Sequence, residues 1–381
     1  MTSVANKLAS RDSTFVGGGS DPKLSVVVPF YNPQPYFREA IDSLLCQSFP
    51  DFELILINDG STDDSEAMLD GFDDPRIRLI RNETNLGIAP SMNRALEVAR
   101  APLVARQDAD DASLPNRFAE QVRFLRNNPD IVMVGTAMDV VDAEGRVITR
   151  WSYGTEPDVC RWHALSRSPV GNTSTMFRRD AVLSVGGYDV RFQPADDYDL
   201  WGRLLDVGGI TNLPQSLVRY RVHETAVTTT QQPKLDNLGC QISRRLLSRY
   251  LADSCVETML EVTRNSSPGV PLVCTAIECY NRLERQFIRQ HNPSVEAADE
   301  IHRNLLHRVV DHARHLSLGD RYLVYRSMRR GLSSSFRDQL AARMLMPPGV
   351  KDAIKRMAGR EVNSHVTRDS ADGQSLSARA G

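Results

Sequence analysis

Short apolar runs alternate with helical stretches through the first 130 residues, and this alternation constrains the fold more than any other feature. Residues 24–29 and 54–57 are almost wholly apolar and rich in Val, Ile and Leu, which is typical of strands buried on both faces of a parallel sheet. Residues 77–80 and 103–105 form two further runs, and residues 36–45 repeat apolar side chains at helical spacing. The pattern predicts an α/β fold with a Rossmann-like, mostly parallel mixed sheet.

The pattern changes along the chain and predicts four regions. Residues 1–22 are rich in Ser, Gly and charge and are expected to be a flexible N-terminus, and residues 23–230 carry the α/β pattern. Residues 231–360 read as almost wholly helical and rich in Arg, and the polar residues 361–381 are expected to be a disordered tail.

Charge and hydropathy exclude several function classes. The formal net charge of -2 leaves no general basic field, so nucleic acid is not expected as a partner. No apolar run is long enough to cross a bilayer and no signal-peptide stretch is present, so a cytoplasmic protein is expected. The Arg-rich stretches 326–330 and 337–343 leave three readings open: peripheral contact with an anionic inner membrane face, a homodimer contact, or a solvated helix face.

Three acidic clusters, at residues 58–63, 108–111 and 196–199, each neighbour an apolar run. Gathered carboxylates repel each other and persist when a cation joins them, usually a divalent metal ion with its phosphates. Asp59 and Asp108 follow predicted strands, so both are expected at the crevice beyond the carboxyl ends of the sheet. Ser61 and Thr62 are candidate caps of a helix that follows Asp59. The clusters predict an enzyme.

Five motifs in one order carry a family resemblance. They are Val28-Pro29-Phe30-Tyr31-Asn32, the Asp59 cluster, Asn85-Leu86-Gly87, residues 105–111, and residues 186–189 with 195–201. Across residues 23 to 225 the chain resembles family 2 glycosyltransferases, which have the A-type nucleotide-diphospho-sugar transferase fold. A single Asp-x-Asp motif is weak, but five motifs at the family's approximate spacing are specific. The resemblance implies that residues 23–230 form a nucleotide-sugar transferase domain.

The resemblance assigns a donor side. Asp59 would accept a hydrogen bond from the nucleotide base, usually uracil, and Pro29 and Tyr31 would line the same pocket. Asp110 would bind Mn²⁺ or Mg²⁺, while Asp108 would hold the ribose or a metal-bound water. The alternative for Asp59 is a helix cap.

Three further residues are donor-side candidates of lower weight. Arg81 and Arg106 are candidates for phosphate or ribose contacts, with ordinary surface arginines as the alternative. His223 resembles a late histidine that approaches the metal or diphosphate, with a half-buried histidine beside the sheet as the alternative.

The resemblance also assigns a catalytic base and an acceptor side. Asp197 would remove the proton from the acceptor hydroxyl, and the alternative is an acidic pair at a helix N-terminus. Asp196 stands where the family usually has Glu, and with Trp201 it is placed on the acceptor side, although Trp201 also suits a core position. Gly171, followed by Asn172, is expected to shape the acceptor side.

The resemblance implies an inverting, metal-dependent glycosyltransferase that moves a sugar from a nucleoside-diphospho-sugar, UDP-linked by preference, to a hydroxyl of a glycan or lipid-linked acceptor. The Gln-x-x-Arg-Trp motif of the processive synthases is absent, which favours addition of single sugars. A nucleotidyltransferase is disfavoured because residues 31–35 are not a Gly-rich basic loop. A non-catalytic nucleotide-sugar-binding protein remains the alternative of another class.

Overall fold

The computed structural model describes residues 21–33, 35–224, 226–328 and 344. The flexible N-terminus predicted for residues 1–22 lies almost entirely outside these residues. The predicted tail at 361–381 and the Arg-rich stretch 337–343 lie outside them altogether.

Nine strands form one mixed sheet in the described residues. The strands are β1 (Leu24–Phe30), β2 (Phe52–Asn58), β3 (Ile77–Arg81), β4 (Leu103–Arg106), β5 (Ala112–Ser113), β6 (Ile131–Val141), β7 (Val147–Trp151), β8 (Met176–Arg178) and β9 (Gly209–Arg221). The sheet order is β3-β2-β1-β4-β8-β6-β9-β5, and β7 pairs with β6. The first four strands in this order are mutually parallel, β8 is antiparallel to β4 and β6, and β6 and β9 are parallel. The predicted α/β mixed sheet is confirmed.

The described residues also form twelve α-helices, and the first and third of them each bury one apolar face against the sheet. They are α1 (Phe37–Leu45), α2 (Ile88–Val98), α3 (Arg117–Asn127), α4 (Pro157–Ala164), α5 (Arg179–Ser184), α6 (Asp196–Leu204), α7 (Val227–Thr230), α8 (Gln232–Leu247), α9 (Asp253–Arg264), α10 (Val270–His291), α11 (Val295–Ala313) and α12 (Leu318–Met328). Alternate residues of β1 and β2, such as Val26 and Leu54, join one core with Ile41 of α1 and Phe118 of α3. All seven residues of β1 are buried, as expected for a strand covered on both faces.

The sequence pattern is least informative in two places. The helix expected after Asp59 is only a short 3₁₀ helix, Ala67–Gly71, so Ser61 and Thr62 cap no α-helix. The longest strands, β6 and β9, were missed or shortened because polar residues and bends interrupt their apolar runs; their pairing shows several register shifts.

The described chain divides into two compact units. The first holds residues up to Ala252 together with Gln286–Ile301, and the second holds Asp253–Arg285 and residues from His302 on. Helix α8 belongs to the first unit, which therefore continues past the predicted end of the transferase domain at residue 230. Within the part of the chain described here, none of the helices has the length and apolar character needed to span a bilayer.

A buried guanidinium holds the end of β4. Arg117 of α3 is 0% exposed. Its Nη2 donates to the backbone oxygens of Arg106 (2.7 Å) and Thr175 (3.1 Å), and its Nη1 donates to Ser113 Oγ (2.9 Å). Burial lowers the Arg117 pKa to about 9, because removing the cation from water costs solvation free energy. Because the donors of a guanidinium lie in one plane, these hydrogen bonds fix the position of the backbone at the start of the loop after β4.

Replacing Arg117 by Lys should lower the free energy of unfolding by about 3 kcal/mol, because an ammonium cannot form the same fork and leaves buried carbonyls unpaired. Urea unfolding followed by the fluorescence of the buried Trp162 and Trp201 measures the change. Arg123→Lys on the same helix is the matched control, since the Arg123 side chain is 70% exposed and pairs only at the surface with Glu120. Equal effects of the two substitutions would contradict the assignment.

Candidate active site

Asp59 follows β2 and fastens the loop that leads into α2. Its carboxylate accepts hydrogen bonds from Asn82 Nδ2 (2.7 Å) and from the backbone N–H groups of Leu86 (3.0 Å) and Gly87 (2.8 Å). The residue is 5% exposed. A carboxylate has about four lone-pair sites, so Asp59 retains acceptor capacity beyond these three bonds.

The neighbouring Gly60 allows this loop to approach closely. Its φ of +74° lies in the left-handed region, and an added Cβ would stand 2.7 Å from the backbone carbon of Thr84. Asn32 joins the end of β1 to the same corner, because its Oδ1 accepts from Thr62 N at 2.9 Å. Tyr31 beside it is 46% exposed, whereas Pro29 is buried within β1. The end of β1 thus places the exposed Tyr31 side chain next to the loop that Asp59 holds.

Asp110 and His223 meet although they are far apart in sequence. His223 Nε2 lies 2.9 Å from Asp110 Oδ2, and the Asp110 side chain is 32% exposed. Burial and the negative charge of Asp108 raise the pKa of Asp110, while the His223 hydrogen bond opposes this shift. Asp111 is 2% exposed, and Asp111 Oδ1 accepts from the backbone N–H of Arg221 at 2.8 Å. Asp111 therefore fixes the loop against β9, while Asp110 stays accessible.

A second buried guanidinium joins the acidic clusters. Arg106, the last residue of β4, is 2% exposed, and its Nη2 donates to Asp108 Oδ1 at 3.0 Å. Burial lowers the Arg106 pKa, but the charges of Asp108, Tyr188, Asp196 and Asp197 outweigh this effect and raise it. The carboxylates of two distant motifs thus share one cation.

The pKa of Asp197 is raised far above the usual value of an aspartate. Burial and the charge of Asp196 raise the Asp197 pKa to about 7, against an opposing effect of Arg106. Asp197 lies in the first turn of α6 and is partly exposed, whereas Asp196 is 2% exposed. A carboxyl with a pKa near neutral is suited to accept a proton at physiological pH.

The Asp59 loop also reaches the Asp197 segment. An added Cβ on Gly87 would stand 2.1 Å from Gln193 Nε2, and the N–H of Ala89 donates to Gln193 Oε1 at 3.4 Å. Gln193 lies just before α6, which begins at Asp196. These contacts join the loop held by Asp59 to the segment before Asp197. The charge of Arg106 in turn links Asp197 to Asp108. The three acidic clusters lie in one connected group.

Four candidate residues are buried or paired in the structure. Arg106 is 2% exposed beside Asp108, and Arg81 is paired with Glu66 at 2.7 Å. Trp201 is 0% exposed and packs against Phe177 and Tyr188, so the core alternative applies. Asp196 is 2% exposed, and its charge interacts with that of Arg106.

Comparison with known proteins now gives the family. The family model described as Glycosyl transferase family 2 matches residues 25–186. The putative glycosyltransferase EpsE of Bacillus subtilis is 35% identical over 248 residues, which are 61% of this chain and 87% of that protein. The O-antigen biosynthesis glycosyltransferase WbnJ of Escherichia coli is 30% identical, over 60% of this chain and 92% of that protein.

The chain belongs to glycosyltransferase family 2.

The fold agrees with this membership. The crystal structure of S. aureus TarS 1–349 in complex with UDP-GlcNAc matches with a TM-score of 0.50 and 19% identity, over 84% of this chain and 87% of that one. The expected family and fold are therefore both confirmed, and the chain is a glycosyltransferase.

The donor set of this glycosyltransferase fits a divalent cation when phosphate oxygens complete the coordination. No group of three or more Asp, Glu, His or Cys side chains within the described ranges has metal-binding geometry. Asp110 Oδ2 and His223 Nε2 supply two donor atoms 2.9 Å apart. Adjacent ligands of an octahedral ion with bonds of about 2.1 Å are about 3 Å apart, so both atoms suit one ion. The mutual repulsion that raises the Asp110 pKa would be relieved by such an ion.

Sequence reasoning missed several residues of this region in the glycosyltransferase. Tyr188 lies beside Arg106, Gln193 joins two loops, and Trp151, Tyr153 and Tyr220 are aromatic residues near the acidic group. Tyr188 was within reach, since it belongs to the Gly-Gly-Tyr-Asp motif. The other four carry no motif, and only strand register brings them here.

Gly60→Ala should lower both stability and nucleotide affinity, because the new Cβ displaces the backbone at Thr84 and pulls Leu86 and Gly87 away from Asp59. We expect a loss of about 3 kcal/mol of unfolding free energy, the left-handed conformation alone accounting for about 1 kcal/mol. Gly186→Ala is the matched control: its φ is +85°, but nothing lies within 4 Å of the added Cβ. Calorimetric UDP binding and thermal unfolding of both variants measure the difference. A Gly60→Ala protein no worse than Gly186→Ala would show that the close approach is unimportant.

Proposed function

We propose that this glycosyltransferase catalyses inverting, metal-dependent transfer of a single sugar from a nucleoside-diphospho-sugar, preferably UDP-linked, to a hydroxyl of a glycan or lipid-linked acceptor. The observation that carries the proposal is the single connected group formed by Asp59, Asp108, Asp110 and Asp197. It brings together the Asp110–His223 pair, drawn from the loop after β4 and the residues that follow β9, and the Asp197 carboxyl of α6, whose pKa is near neutral. Separate segments are needed because a base must face the acceptor while the ion faces the departing diphosphate.

On the donor side, Asp59 accepts an N–H of the nucleotide base with its remaining lone pairs. Tyr31 is exposed beside the Asn32–Thr62 contact and covers the base. Pro29 supports this pocket from within β1 and does not line it directly, because it is buried. Asp108 is held by Arg106 at 3.0 Å and faces the ribose or an ion-bound water. The proposed preference for UDP is supported by a structural neighbour of the same fold, S. aureus TarS 1–349, whose crystal structure is a complex with UDP-GlcNAc.

The acceptor oxygen attacks the anomeric carbon as the bond from that carbon to the diphosphate oxygen breaks. Asp197 takes the hydroxyl proton, and the nucleoside diphosphate leaves on the opposite face, so the configuration inverts. Asp110 and His223 would hold Mn²⁺ or Mg²⁺, which when bound offsets the charge that develops on the leaving diphosphate. Burial of Asp196 next to Arg106 limits the number of negative charges that face the acceptor.

The biological setting of the reaction is surface-polysaccharide assembly. The relatives WbnJ and the AmsE protein of Erwinia amylovora, the latter 29% identical over 52% of this chain and 75% of its own length, are named for O-antigen and amylovoran biosynthesis. Both names refer to polysaccharide biosynthesis, which agrees with a hydroxyl acceptor here. A cytoplasmic location with peripheral contact at the inner membrane face belongs to the same proposal.

UDP, GDP, CDP and TDP sugars should be screened by thermal shift, each with and without Mn²⁺. We expect a UDP-sugar to raise the unfolding temperature, and to do so more strongly with Mn²⁺. Asp110→Asn should lose most of the Mn²⁺-dependent part and keep the metal-independent part. Asp73→Asn, at an exposed aspartate outside the site, is the control. Equal Mn²⁺ dependence in Asp110→Asn and the unaltered protein would refute the ion assignment.

Asp197→Asn should reduce kcat by about 10³-fold or more while donor affinity stays within about twofold, because the amide cannot accept the proton. In the unaltered protein kcat/KM should rise with pH and reach half its plateau near pH 7, because the base works only when ionised and its pKa is about 7. Steady-state assays between about pH 5.5 and 8.5 record the profile.

The same experiment separates an enzyme from a non-catalytic binding protein. If Asp197→Asn transferred sugar at the unaltered rate, Asp197 would not be the base. If neither protein transferred sugar from any bound donor, a binding role would be favoured.

A further inference from the structure

An aromatic face lies beside the acidic group and has no part in the function proposed above. Trp151 ends β7 and is 43% exposed. Its ring centroid lies 5.1 Å from that of Tyr220 on β9, with an angle of 33° between the rings. We call these two rings the aromatic face.

Strand register places both rings on one side of the sheet. Trp151 pairs with Met138 of β6, and Tyr220 pairs with Val140 of β6. Met138 and Val140 are two residues apart, so their side chains and those of their partners point to the same side. An added Cβ on Gly171 would stand 2.3 Å from Met138 Cε and 3.0 Å from the Tyr153 hydroxyl. The aromatic face therefore adjoins the segment around Gly171.

The aromatic face also adjoins the reacting groups. Tyr220 precedes Arg221, whose backbone N–H donates to Asp111 Oδ1 at 2.8 Å and whose Nε donates to the backbone oxygen of Asp110 at 3.1 Å, so this end of β9 lies against the acidic loop. Burial, and more weakly the charges of Tyr220 and Asp197, raise the pKa of Tyr153 to about 12. The Tyr153 hydroxyl lies beside Gly171, and Thr173 of the same segment accepts from the backbone N–H of Asp108 through its Oγ1 at 3.1 Å, so this segment connects the aromatic residues to the acidic group.

We infer that the Trp151–Tyr220 aromatic face is the acceptor subsite, on which a pyranose ring of the acceptor stacks with one hydroxyl directed toward Asp197. The inference rests on the proposed function and names its acceptor as a sugar rather than a lipid hydroxyl. The ring C–H groups on one side of a pyranose form an apolar, slightly positive surface, which suits the negative face of an indole or phenol.

The position of Trp151 argues for a ligand rather than for packing. The other two tryptophans, Trp162 and Trp201, are 2% and 0% exposed, as core residues are. Ile148 on the same strand is 58% exposed and is the unpaired residue of a β-bulge, because Thr149 pairs with Val140 and Val147 pairs with Val141. Ile148 is therefore an exposed apolar residue of β7 outside the Trp151–Tyr220 ring pair. Trp151 and Ile148 supply a matched comparison.

The experiment measures Trp151 directly. Methyl glycosides of glucose, galactose, mannose and N-acetylglucosamine are titrated, up to their solubility limits, into the full-length chain saturated with UDP and Mn²⁺. Because Trp162 and Trp201 are buried, a saccharide-dependent change in tryptophan fluorescence reports on Trp151. We expect at least one glycoside to change the fluorescence of the unaltered chain and of Ile148→Ala, but not of Trp151→Phe excited at the indole band.

Kinetics then test the role. With the best glycoside as acceptor, Trp151→Ala should raise the acceptor KM about tenfold or more with unchanged UDP-sugar KM. Trp151→Phe should recover most of this loss because a ring face remains, and Ile148→Ala should match the unaltered chain. Hydrolysis of the UDP-sugar by water should stay constant across all four proteins, since the donor side is untouched.

Two outcomes separate this inference from the function on which it rests. Absence of UDP-sugar binding in the unaltered chain would overturn the proposed function and the inference together. Normal donor binding with no fluorescence change for any glycoside, or an acceptor KM in Trp151→Ala equal to that of Ile148→Ala, would overturn the aromatic subsite alone.

Discussion

The arrangement of the site depends on one buried cation at the end of β4. Arg106 is almost fully enclosed, and its charge interacts with the carboxyls of Asp108, Asp196 and Asp197. Without it, these acids would repel one another across a region of low dielectric, and the loop after β4 would separate from α6. A second buried guanidinium, that of Arg117, donates to the backbone oxygen of Arg106 and holds this backbone in place. Arg117 thus holds Arg106 in place, and the charge of Arg106 offsets the repulsion between the acidic segments.

Much of the fold follows from local sequence pattern. β1, β2 and β4 are short apolar runs with helical stretches between them, and parallel pairing puts their carboxyl ends at one edge without further information. That edge carries Asp59 and Asp108, so the positions of these two residues could be predicted from the sequence. Strands β6 and β9 could not be predicted in full from the sequence, because bulges and polar positions break their periodicity. Their pairing also joins residues far apart in sequence.

The features of the site that could not be predicted from the sequence have a similar physical origin. Whether an arginine is a surface residue or a buried counter-ion depends on which elements cover it, and for Arg106 and Trp201 those elements are distant in sequence. Asp110 and His223 were both identified from motifs, but their 2.9 Å contact required the tertiary fold. Trp151 and Tyr220 had no motif at all, since a lone aromatic residue in a strand is ordinary until its register with β6 is known.

The pairing of Asp110 with His223 joins positions separated by 113 residues. An ion shared by these two side chains would act as a removable cross-link, and the chain entropy it would remove belongs to a long loop of the unfolded polypeptide. The strand that carries Tyr220 leads into His223, so the same cross-link would also hold the end of β9 that carries one ring of the aromatic face inferred to bind the acceptor.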